Sequence, residues 1–198
     1  MELCYFFGTD ILVCYASWVT DTVSITNKIR KKMIEKITGR VWKLGDNVDT
    51  DVIYPGKYLP IIDAPEMAHH ALEGLDLGFP KKIQKGDIIV AGANFGCGSS
   101  REQAATCLKY AGISCVVAKS FSRIFFRNAI NQGLALVQSK EAFDVINQGE
   151  VITINFAGGE ILTSYQKLSF PPLPQFVMGI LEDGGLIQHV KKSLKLER

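Results

Sequence analysis

Apolar and polar positions change period along this chain in a way that predicts short buried strands separated by amphipathic helices. Residues 40–44 alternate as a strand does, whereas 87–91 is a continuous apolar strand between Gly86 and Gly92, and 113–118 a second buried one. Helical spacing governs 100–111, which stops at Gly112, and 121–131, with Ser120 as its cap and Gly133 as its stop. Residues 134–137 form a further short strand. Upstream, 45–51 reads as a polar loop, and Asp63-Ala64-Pro65-Glu66 has the form of a capping box. It opens a helix whose apolar face runs through Met67, Ala68, Ala71 and Leu72. The tail alternates over 150–156, turns at Ala157-Gly158-Gly159-Glu160 and returns over 161–164. A last helical region follows Pro174 and is broken at Gly184-Gly185.

Strand, helix, strand, helix, strand in that order favours an α/β fold: a parallel-containing sheet with right-handed crossovers, flanked by helices. The length, 198 residues, suits one well-buried domain. That domain is expected over 38–198, behind an N-terminal extension, 1–37, of uncertain role. Residues 3–19 are apolar, but Asp10 interrupts them and they only just reach membrane-spanning length. They lack the basic start and cleavage pattern of a secretory signal. A peripheral helix or strand, a membrane anchor and an upstream extension outside the working protein compete here, with Met33 available as an internal start. No membrane association and a cytoplasmic location are expected.

Charge and cysteine usage exclude several classes. Basic and acidic residues nearly cancel, 22 against 20, and are dispersed, so nucleic acid is not an expected partner. Cys4, Cys14, Cys97, Cys107 and Cys115 are odd in number with no C-x-x-C pair, and His69, His70 and His189 form no H-E-x-x-H. No metal site is expected, and an iron–sulfur cluster, which needs several thiolates at matched spacing, is not expected from this chain alone.

The chemistry concentrates in Asn94-Phe95-Gly96-Cys97-Gly98-Ser99-Ser100-Arg101-Glu102, between a buried strand and a helix. Gly96 and Gly98 allow backbone shapes and close approaches that side chains resist. Ser99 and Ser100 fall at the expected helix start, where unpaired N–H groups favour negative charge. Arg101 adds a permanent cation that can clamp a carboxylate through two hydrogen bonds. Together they describe a carboxylate site, with Ser99 as a candidate base. A plain turn with an N-cap is the competing reading. Nucleotide binding is a weaker one, because Arg101 occupies the third glycine of G-x-G-x-x-G. P-loop and nucleophile-elbow patterns fail. Asp46, Asp49 and Asp51 do not complete a calcium loop, since Val52 lacks the turn glycine and no closing Glu follows. Asp49 is therefore read as a loop-ordering residue, and Cys107 and Cys115 as small core residues.

Gly96-Cys97-Gly98-Ser99-Ser100-Arg101-Glu102 resembles the Ser-Ser-Arg-Glu signature of the aconitase superfamily swivelling domain. Gly45-Asp46-Asn47-Val48-Asp49-Thr50-Asp51 resembles its Asp-Thr-Asp loop, and Lys119-Ser120-Phe121-Ser122-Arg123-Ile124-Phe125-Phe126-Arg127-Asn128 its third block. The three blocks stand in family order over roughly 38–190, at a length similar to the separately encoded small subunits of isopropylmalate isomerases and prokaryotic homoaconitases.

This resemblance implies the swivelling β/β/α fold and a hydro-lyase that moves a hydroxyl by dehydration and rehydration. It makes Ser99 the base, with Gly98, Ser100 and Arg101 around a substrate carboxylate and Arg127 as a weaker anion contact. Asp51 would support a catalytic histidine of a large subunit. That partner would carry the [4Fe–4S] cluster, with none bound by this chain, and the substrate would be a small hydroxy-dicarboxylate. Cys97 stands where family members tolerate different residues, so its thiol is not expected to be catalytic. Specificity would rest on Tyr58, Leu59, Pro60, Ile61 and Ile62: Pro60 replaces the arginine of homoaconitase-like members, and an apolar segment suits the isopropyl group of isopropylmalate. The Val-Tyr of isopropylmalate-type members is missing too, which leaves methylmalate- or dimethylmalate-like acids and homoaconitate as alternatives, and an anion- or nucleotide-binding module as a third.

Overall fold

The structure, a computed structural model, describes residues 35–194. The 3–19 segment and Met33 lie outside them. Among these residues seven strands and seven α-helices follow in the order β1 (Lys36–Leu44), α1 (Thr50–Ile53), α2 (Ala64–Ala68), β2 (Ile88–Ala91), α3 (Glu102–Ala111), β3 (Cys115–Ala118), α4 (Arg123–Gln132), β4 (Ala135–Gln138), α5 (Ala142–Val145), β5 (Val151–Asn155), β6 (Glu160–Leu162), β7 (Lys167–Ser169), α6 (Gln175–Asp183) and α7 (Leu186–Ser193).

All seven strands join one sheet in the order β4-β3-β2-β1-β5-β6-β7. The expected parallel part is present: β1, β2, β3 and β4 pair in parallel, joined by helical crossovers. β1 is longer than its alternating stretch predicts. Its first half, from Lys36 to Arg40, pairs antiparallel with β5, and Val41 to Leu44 pairs parallel with β2. Gly39 sits near this change of partner, where an added Cβ would lie 2.0 Å from the Gly86 carbonyl oxygen.

The four residues of β2 and of β3 are all buried, as their unbroken apolar runs require. Their side chains alternate between two cores. Ile89 and Val116 face one with Leu108 of α3 and Phe125 of α4; Ile88 and Val117 face the other with Ile130, Ile152 and Ile180. Each such aliphatic side chain contributes roughly 1.5–3 kcal/mol on burial.

Both crossover helices start two residues later than their apolar periodicity predicts. α4 is capped by Ser122, whose Oγ accepts from Phe125 N–H at 3.4 Å, because Ser120 Oγ is already bound to Asn94 N–H at 2.8 Å. α1 and α5, each four residues long, and β7, three long, are too short for any periodicity to mark. The capping-box helix is shorter than expected, although Asp63 accepts from Glu66 N–H at 3.2 Å as its spacing predicts.

Asp87, just before β2, is the main buried charge of the sheet. Its Oδ2 accepts from Arg40 Nη2 at 2.8 Å, Trp42 Nε1 at 2.6 Å and Gln84 N–H at 2.9 Å. Burial pushes the carboxyl up, but the Arg40, Gln84 and Trp42 donors outweigh it and hold the group below the usual carboxylate range. Its stabilisation is therefore complete above the unfolded-state value, near pH 4, and is lost as pH falls through the lower folded-state value. Asp87→Asn is expected to cost about 3 kcal/mol at pH 7. Urea melts should show that difference shrinking once the pH is taken below about 4.

Candidate active site

Three loops leave the carboxyl ends of β1, β2 and β3 and are stitched together by backbone. Gly96 N–H donates to the Val48 carbonyl at 2.7 Å and Thr50 N–H to the Cys97 carbonyl at 2.9 Å. Phe95 N–H donates to the Ser120 carbonyl at 3.0 Å, and Ser122 N–H to the Phe95 carbonyl at 2.9 Å. Gly96, at φ 74°, is required by close approach: a Cβ there would stand 2.2 Å from Phe125 Cγ. The three sequence blocks thus meet at one edge of the parallel sheet, where ligands of such folds bind.

Thr50 clasps the serine loop. It is almost fully buried; its Oγ1 accepts from Ser99 N–H at 3.1 Å and donates to the Ser99 carbonyl at 3.3 Å. Arg101 N–H donates to that same carbonyl at 2.9 Å. These bonds hold residues 99–101 out of the helix, so α3 begins at Glu102 with Arg101 in the capping place, extended at φ −114° and ψ 111°. Ser99 and Ser100 therefore precede the helix instead of opening it, and the amides of Ser99 and Arg101 hold the loop instead of a ligand. Gly98, at φ 90°, leaves room for Thr50 Oγ1, which a Cβ would approach to 3.2 Å. Gly98, Ser99 and Ser100 are all exposed.

Beside the serines, Arg101 is largely buried and its Nη1 is ion-paired with Asp51. The same nitrogen donates to the Tyr54 carbonyl at 3.4 Å, and Asp51 Oδ1 also accepts from Gly56 N–H at 3.2 Å. The hydrogen bond from Arg101 is the main reason that the Asp51 carboxyl lies below its ordinary value. This pairing of two residues with separate expected tasks has no signature in the spacing. Neither has the clasp of Thr50, although a threonine between two aspartates in a turn is a place to look for one. Asp49 is the loop-ordering residue its position suggests: its Oδ1 accepts from Val52 N–H at 2.7 Å and caps α1.

Of the apolar segment, Tyr58 and Ile61 turn inward and pack on the core, whereas Leu59, Pro60 and Ile62 are exposed, Ile62 at 90%. The Tyr58 ring stacks on His70 with centroids 3.6 Å apart. Arg127 is not brought to the serines. It lies exposed on α4, in a groove with Phe121, Arg123, Ile124, Phe126 and Gln138.

Among the described residues no group of three or more His, Cys, Asp and Glu side chains is placed to hold a metal. The described cysteines do not fit an iron–sulfur cluster either. Cys107 and Cys115 are buried in the two different cores, where burial pushes their thiols up, and Cys97 stands in the serine loop. Among the same residues no helix is long and apolar enough to cross a membrane.

The sequence profile of the aconitase C-terminal domain matches residues 17–142. This chain belongs to that family. Within it, the 3-isopropylmalate dehydratase small subunit of Syntrophus aciditrophicus is 51% identical over 160 residues, which cover 80% of this chain and 98% of that one. The isopropylmalate/citramalate isomerase small subunit of Methanocaldococcus jannaschii is 52% identical over 160 residues, 80% of this chain and 95% of that one. The crystal structure of a 3-isopropylmalate dehydratase from the same archaeon superposes with a TM-score of 0.77 at 45% identity, over 82% of this chain and 97% of the other. The family and its mixed sheet are those that the three motifs imply.

Proposed function

We infer that this chain is the small subunit of a heteromeric hydro-lyase that interconverts 2-isopropylmalate and 3-isopropylmalate by dehydration and rehydration, a reaction of leucine biosynthesis. The observation that carries the reading is an exposed Ser99 two residues before Arg101, whose guanidinium is already fixed by Asp51. Arg101 anchors one substrate carboxylate, with Gly98 and Ser100 forming the rim. Ser99 takes the proton from the carbon next to that carboxylate and returns one on rehydration. As free serine is far too weak an acid to be a base at neutral pH, its ionised form must draw on the neighbouring cation and on the partner. Asp51, held ionised by Arg101, orients a histidine of the large subunit. That subunit brings the [4Fe–4S] cluster, which supplies a Lewis acid for the hydroxyl; no cluster is bound by this chain. Leu59 and Ile62, with Pro60 between them, face the alkyl group. Arg127 is a secondary anion contact outside the serine loop, in its own groove on α4. The working domain takes in Lys36 and Ile37 as well as the expected 38–198, because β1 begins at Lys36, and its free thiols suit the cytoplasm.

A second reading, an acid bearing methyl in place of isopropyl, is favoured by the relative whose name joins isopropylmalate with citramalate. One experiment tests both. The chain is co-purified with its large subunit, analysed for iron and sulfide, and assayed on 2-isopropylmalate, citramalate and homoaconitate. Turnover of isopropylmalate by the pair and by neither chain alone is expected. Turnover by the isolated chain, or tight nucleotide binding to it, would overturn the reading.

A further inference from the structure

Tyr54 has no part in the reaction outlined above, yet it is hydrogen-bonded to Thr50, Tyr58 and Arg101. Its side chain is fully buried at the end of α1, and its hydroxyl donates to the Tyr58 carbonyl at 2.8 Å. Its own N–H donates to the carbonyl of Thr50, the residue that clasps Ser99, at 2.9 Å. Its carbonyl accepts from Arg101 Nη1 at 3.4 Å. Burial pushes the phenol above its ordinary value, which favours the neutral, donating hydroxyl. The apolar segment needs such an anchor. It leaves Pro55 through a single 3-10 turn, Gly56–Tyr58, and the Tyr58 carbonyl that receives the Tyr54 hydroxyl also receives Ile61 N–H at 3.0 Å.

We propose that Tyr54 is a positioning residue for alkyl-group selection: by gripping the Tyr58 carbonyl, it sets how far Leu59 and Ile62 stand from the Arg101 guanidinium. The inference rests on the hydro-lyase reading and goes beyond it. 2-Isopropylmalate and citramalate share two carboxylates and a hydroxyl and differ in carrying isopropyl or methyl. With the carboxylate end fixed by Arg101, the distance to the apolar segment decides whether the longer group is met. A segment released from its anchor loses contacts to isopropyl that methyl does not reach.

The test is Tyr54→Phe, which removes the hydroxyl and keeps the ring, in the complex with the large subunit. kcat and KM are measured for both acids, with a thermal melt to confirm folding. The ratio of kcat/KM for isopropylmalate to that for citramalate is expected to fall about five-fold, chiefly through KM, the scale of one lost hydrogen bond. Equal losses for both acids would mark a purely structural role and overturn the proposal, as would an unchanged ratio. If the phenylalanine variant does not fold, Pro60→Gly loosens the same segment from its exposed side; a lowered ratio supports the proposal and an unaltered one overturns it. Absence of turnover of either acid by the wild-type complex would defeat the hydro-lyase reading itself, and this inference with it.

Discussion

Ser99→Ala in the two-subunit complex is expected to lower kcat for 2-isopropylmalate by about three orders of magnitude, within the range that a positioned general base supplies. Assembly should be untouched. The loop is held by the Ser99 N–H and carbonyl, both bound to Thr50 Oγ1, and neither is altered by losing the side-chain oxygen. The variant therefore isolates the proton transfer from the architecture around it. Gel filtration should show an unchanged complex, and steady-state assays a KM near that of the wild type. A complex that turned over at near-normal speed would remove Ser99 from the role of base.

The second large effect is expected at Arg101. Arg101→Lys keeps the charge but loses the planar fork. A lysine ammonium cannot serve Asp51, the Tyr54 carbonyl and a substrate carboxylate together in the geometry the guanidinium adopts. kcat/KM should drop about 100-fold, equivalent to about 2.7 kcal/mol of lost transition-state stabilisation. Asp51 should then titrate closer to its ordinary range, since the hydrogen bond from Arg101 is the main influence that depresses it. The acid limb of the pH–rate profile is expected to move to higher pH in this variant. A kcat/KM within threefold of wild type would contradict the anchoring role.

What could be read from the residues divides along physical lines. β2 and β3 show as unbroken apolar runs because burial on both faces leaves no polar position. Gly112 and Gly133 mark helix ends because each stands in the left-handed region, at φ 106° and 76°. The serine loop was legible by its residue types. Its construction was not, because it depends on contacts about fifty residues apart: Thr50 on Ser99, Asp51 on Arg101. Periodicity carries no trace of such pairs. Helix starts slipped for the same reason: Ser120 is a good cap by chemistry, but Asn94 claims its hydroxyl from another loop. Arg127 shows the converse. Its place in a family block does not bring it to the serines, since the helix that carries it presents it to a groove of its own.

The double pairing of β1 has mechanical consequences. A single strand hydrogen-bonds to β5 over one half and to β2 over the other, and the glycine near the exchange leaves no space for a side chain. Pulling on either wing of the sheet loads the same piece of chain, so the wings have no flexible seam between them. Any movement of one wing against the other must therefore break hydrogen bonds that β1 makes with β5 or with β2.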